Sequence, residues 1–115
     1  MDLTDLAGEA ARLSALLDKG IAALREAAVE FAHAEHDYRK AKAVAYLRHT
    51  GTVAEREASS ETEVGSLRLA RDLASGKVEA AREAVRSRRS QVGLVSALLA
   101  SHRAEAEFAR VQPRP

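Results

Sequence analysis

The chain has no cysteine and no tryptophan, and its only prolines, Pro113 and Pro115, stand at its end. The lack of cysteine excludes disulfides, thiolate nucleophiles and Cys-ligated metals. The lack of interior proline leaves helix ladders uninterrupted. Phe31, Tyr38, Tyr46 and Phe108 are the only aromatics, too few to fill the core of a globule. An Ala-rich chain of this kind buries its apolar surface by packing long helices closely. A hairpin of two such helices exposes too much surface to be comfortable alone, so a homo-oligomer is expected. No apolar run approaches the ~18–20 residues that span a bilayer. The opening MDLTDLAGEA carries acids where a secretion signal carries bases. The expectation is a soluble cytoplasmic protein with no membrane partner. There is no GxSxG, phosphate loop or HExxH, so no enzyme, catalytic residue or cofactor is expected. His33 and His36 are three apart, but two ligands without a third or fourth make no metal site.

What is present is helix-forming: Ala, Leu, Glu and Arg dominate. Positions 3, 6, 10, 13, 17, 20, 24, 27, 31, 34, 38, 41 and 45 form an uncharged stripe in alternating steps of three and four, the seam pattern of a coiled coil. Gly20 is its only gap and a point where the helix bends or breaks. Asp2 or Thr4 suits the N-cap. At the far end Gly51 suits a helix stop, and Thr52 with Glu55 forms a capping box for the next start. Ser60 with Glu63 makes a second candidate box, which places a kink or restart near 60–66. A second stripe follows at 67, 71, 74, 78, 81, 85, 88, 92, 95, 99, 102, 106 and 109, with Arg88 and His102 as its polar members after Arg71.

The spacing therefore predicts an all-α domain over 1–111: a long antiparallel helical hairpin, coiled-coil-like, with a short helix and a kink after the turn. Its elements are a helix over about 4–49, a turn at 50–52, a short helix over about 53–63 and a helix over about 66–110. Residues 112–115 are expected to be a disordered tail.

The net charge of +1 is unevenly spread: −5 over 1–37, +4 over 38–50, −2 over 51–75 and +4 over 76–115. Such blocks favour head-to-tail matching or an anionic ligand. In the first basic block, Arg39, Lys40, Lys42, Arg48 and His49 interleave with Tyr38 and Tyr46. A basic groove with aromatic faces is how single-stranded nucleic acid is held. Bases near a helix C-terminus also serve its dipole, and Tyr38 lies on the core stripe. In the second, Arg82, Arg86 and Arg89 share a face, which suits phosphates or the neighbouring Glu79 and Glu83 equally. Arg88 lies on the stripe and needs a partner, for which Glu35 across the hairpin is available.

The stretch YRKAKAVAYLRHTGTVAEREA (38–58), followed by a basic helix closing on Val85-Arg86-Ser87-Arg88-Arg89-Ser90-Gln91-Val92-Gly93, resembles small all-helical phage and prophage recombination proteins related to the UvsY-type mediators. The resemblance spans roughly residues 30–110. It implies single-stranded-DNA binding in phage-type homologous recombination, with a homo-oligomer that assists loading of a recombinase onto DNA coated by single-strand-binding protein. By position it implies Lys40, Lys42, Tyr46, Arg48, Arg86, Arg88 and Arg89 as DNA contacts. The acidic residues 1–37 match nothing in that pattern. Their stripe, with Leu13, Leu17, Leu24 and Phe31, suits oligomerisation or docking of a partner helix. The alternative is accordingly a non-enzymatic coiled-coil adaptor or structural protein.

Overall fold

The computed structural model describes residues 1–111, and the expected tail at 112–115 lies outside them. The chain order is α1 (Leu3–Arg48), α2 (Val53–Glu63) and α3 (Gly65–Val111), with no strand among the described residues. This is the all-α helical hairpin that the two stripes predict.

Helix α1 opens on Asp2. Its Oδ1 accepts from the Asp5 N–H at 2.8 Å, and Asp5 Oδ2 accepts the Asp2 N–H at 3.3 Å, a reciprocal cap. The helix then runs through Gly20 without interruption. A Cβ at Gly20 would lie 3.5 Å from Val85 Cγ2, ordinary contact distance. The glycine therefore marks the approach of α3 and not a break, because the ladder on either side outweighs a cost of about 1 kcal/mol.

The turn forms as expected. Gly51 has φ +112°, a conformation in which a Cβ is strained. Thr52 Oγ1 accepts the Glu55 N–H at 3.2 Å while Glu55 Oε2 accepts the Thr52 N–H at 3.4 Å. The second box does not form. Ser60 is completely buried inside α2, and its hydroxyl donates back to the Glu57 carbonyl at 3.0 Å, the local bond open to a mid-helix serine. The interruption comes at Val64, whose N–H is shared between the Ser60 and Thr62 carbonyls, and α3 begins at Gly65.

Contacts group the chain into two compact units. In one, Met1–Ala22 packs with α3 from Glu83 onward. Its core is Leu6, Leu13 and Val95, flanked by Ala10, Val92 and Leu99. The other is Ala23–Arg82. Tyr38, Ala45 and Val64 form its core with Ala41 against them, and Ala27, Ala74 and Val78 are buried in the same unit. The first core sets a stretch of α1 against an antiparallel stretch of α3, and the second sets α1 against Val64, the residue between α2 and α3. Small alanine and valine side chains are what allow the helices that approach.

Candidate functional site

The corner where α1 meets α2, inside the Ala23–Arg82 unit, holds four of the seven side chains expected to contact DNA. Lys42 projects from α1 toward α2, and its Nζ lies 2.6 Å from Glu57 Oε1 and 2.8 Å from Glu61 Oε1. Glu57 and Glu61 are one helical turn apart, so α2 offers both carboxylates to one ammonium. The Tyr38 hydroxyl donates to the same Glu61 oxygen at 2.5 Å, and Arg68 reaches Glu61 Oε2 at 3.3 Å. The Lys42 bond, followed by the Tyr38 bond, holds the Glu61 carboxyl at about 2, against its ordinary 4.5. Lys42 is raised in turn, first by Glu57 and then by Glu61. Tyr38 is raised by its bond to Glu61 and by burial.

Most of the remaining cations of this corner are also engaged. Arg48 pairs with Glu63, beside which His49 Nε2 lies 3.4 Å from the other carboxylate oxygen. Arg56 spans the turn, donating to the Tyr46 carbonyl at 3.1 and 3.2 Å, and its guanidinium lies 4.4 Å from the Tyr46 ring centroid. One face of Tyr46 is thus covered by a cation. Arg39 donates to Glu35 at 2.6 Å. Arg71 stacks 4.4 Å from the Tyr38 centroid, donates to Asp72 at 2.9 Å and lies 3.8 Å from Glu35. Lys40 is exposed and makes no ion pair among the described residues.

Of the expected DNA contacts, Lys42 and Tyr46 line one groove of this unit and Lys40 and Arg48 another, whereas Arg86, Arg88 and Arg89 belong to the other unit. There Arg86 pairs with Glu83 at 2.6 Å, and Arg89 is exposed without an ion pair among the described residues. Arg88 donates to Gln91 at 3.0 Å, not to Glu35, whose carboxylate is taken by Arg39 and Arg71. Arg82 of the Ala23–Arg82 unit pairs with Glu79 at 2.7 Å. Among the partner-stripe residues, Leu13 is buried, and Leu17, Leu24 and Phe31 are half-buried.

The sequence reading missed Glu61, Arg56 and Arg71 as members of the corner. The signal for Glu61 was the acidic count of α2 opposite the basic end of α1, and for Arg71 its charge on the second apolar stripe. Two large apolar side chains are exposed at the corner, Leu47 at 76% and Val53 at 72%, alongside the charged Arg39, Lys40 and Arg48. Beside them a groove of about 500 Å³ is lined by Arg39, Lys42, Ala43, Tyr46, Leu47 and Glu57. Among the described residues no three His, Asp or Glu side chains gather in a metal-binding group, and no helix is long and apolar enough to cross a membrane.

The depressed Glu61 group has a consequence for pH. Its contribution to stability is complete above its ordinary value of 4.5 and is lost as pH falls toward its folded value of about 2. The thermal midpoint is expected to fall over that window, and Glu61→Gln to flatten the fall. A calorimetric pH series on both proteins checks this; parallel curves would remove Glu61 as the cause.

No protein-family model, characterised protein or solved structure was found to match this chain.

Proposed function

We propose that the chain is a helical protein-binding adaptor, non-enzymatic, that takes an apolar segment of another protein at the α1–α2 corner. One observation carries this reading. Leu3, Leu47, Leu67, Leu69, Leu73, Leu94 and Leu98 are exposed while only Leu6 and Leu13 are buried among the leucines. Single exposed leucines are ordinary. A chain that leaves most of its large apolar side chains outside its own core is suited to finishing that core against another surface. At the corner Lys42 and Arg48 are matched by carboxylates and Arg56 by the Tyr46 carbonyl, which leaves Lys40 unpaired among the described residues, and the apolar Leu47 and Val53 offer the free binding energy.

The test is a photo-crosslinking amino acid at position 47, with the exposed position 32 as control, in cells that make the protein. The expected product is a discrete protein adduct at position 47 that Val53→Asp removes. Equal labelling at both positions, or an adduct to nucleic acid, would overturn the reading.

A second reading, the single-stranded-DNA-binding recombination mediator acting with a recombinase and single-strand-binding protein, draws support from Lys40, Arg88 and Arg89. These are the members of the basic set that face no carboxylate among the described residues.

A further inference from the structure

Helix α3 carries an outer stripe in addition to its packed one. In the Ala23–Arg82 unit the stripe reads Leu69, Leu73, Gly76 and Ala80, and all four are exposed. In the other unit it reads Ser87, Gln91, Leu94 and Leu98, again all exposed. The steps of three and four keep each set on one face of its stretch of helix. Neither set contains a charge, in a chain of which 30% is Asp, Glu, Lys or Arg. At Gly76, as at Gly8, Gly65 and Gly93, a Cβ would meet no atom within 4 Å among the described residues, so the position leaves room for a closely approaching surface.

The two sets are mirror images in sequence about the midpoint between Glu83 and Ala84. Leu69 mirrors Leu98, Leu73 mirrors Leu94, Gly76 mirrors Gln91 and Ala80 mirrors Ser87. A two-fold axis pairs such positions when two copies of one helix lie antiparallel. We infer that α3 is a self-association helix: the Leu69–Leu73 set of one copy docks antiparallel on the Leu94–Leu98 set of a second copy of this chain. Leucine then meets leucine at each end, Gly76 leaves room for Gln91, and the small Ala80 and Ser87 meet at the centre.

Charge agrees with that register. Glu79, Glu83 and Arg86 flank the stripe on one side. In the antiparallel pair, Arg86 of each copy falls between the positions of Glu79 and Glu83 of the other. The within-helix Arg86–Glu83 bridge becomes a network across the axis. This inference goes beyond the corner reading and stands without it, because it uses none of the corner's residues.

The absence of native cysteine makes the test direct. L73C and L94C chains, one of them tagged, are mixed and treated with a short bis-maleimide linker. The antiparallel register predicts the mixed 73–94 product. It also predicts little 73–73 or 94–94 product, since like positions lie about 30 Å apart along the axis at 1.5 Å per residue. In light-scattering chromatography the native chain should run at twice its 12.4 kDa, and L94E should raise the dimer dissociation constant at least tenfold with helicity unchanged. Like-position products, or a native chain that stays monomeric across the concentration range, would overturn the inference. Neither result would disturb position-47 adduct formation, which reports on the corner alone.

Discussion

Replacing Tyr38 by alanine is expected to lower the unfolding free energy by about 3–5 kcal/mol, the range for losing a buried aromatic side chain. Tyr38 sits in the core of the Ala23–Arg82 unit with Ala45 and Val64. Its ring lies under the Arg71 guanidinium, and its hydroxyl donates to Glu61. The residue thereby ties α1 to α2 through the hydroxyl and to α3 through the ring. Tyr38→Phe separates these roles: it keeps the ring and removes one hydrogen bond to a charged acceptor, with an expected cost of about 1–2 kcal/mol. Urea unfolding followed by circular dichroism measures both. A loss below about 1 kcal/mol for Tyr38→Ala would mean that the ring packs against nothing that holds the unit together.

Leu13→Ala is expected to cost about 2–5 kcal/mol, through lost burial and the cavity left behind. Leu13 is 3% exposed and packs with Leu6 and Val95 in the other unit. The sequence marked it as a docking position for a partner. The fold uses it for α3 of the same chain, so the effect should appear in the unfolding of the isolated protein. Leu94→Ala on the outer stripe of the same unit should cost the isolated monomer little, since that side chain is exposed. Paired urea titrations of the two variants make the comparison; equal losses would contradict the assignment of inner and outer faces.

The helices themselves were legible in the sequence for physical reasons. An unbroken three-and-four spacing, strong helix formers and no interior proline leave few alternatives to a helix. The Gly51–Thr52–Glu55 group combines a stop with a reciprocal cap and admits one reading. Gly20 misled because a glycine in a helix signals equally a kink or a close neighbour, and only Val85 decides between them. Ser60 misled for a related reason. Its hydroxyl serves as a cap or bonds back within a helix according to burial, which the rest of the fold sets from outside the segment.

The corner was harder to read. Basic residues at 38–49 and acids at 55–63 are both visible as charges. Whether Lys42 meets phosphate or Glu57 and Glu61 depends on how α2 folds back after the turn. Arg88 shows the same limit: its partner is Gln91, on its own helix, and not the more distant Glu35. The second face of α3 is hard to read because an exposed uncharged stripe has the same three-and-four spacing as a packed one.

The central claim is that the basic residues of the corner serve the fold and leave an apolar surface for protein. Fluorescence anisotropy of a labelled single-stranded oligonucleotide, titrated with the full chain at low and moderate salt beside a duplex of equal length, tests it most directly. The account predicts no saturable binding to either, because Lys42, Arg48 and Arg86 are held by carboxylates. Saturable binding that prefers the single strand, weakens with salt and is lost when Lys40, Arg88 and Arg89 are replaced by alanine would contradict it and support the recombination-mediator reading.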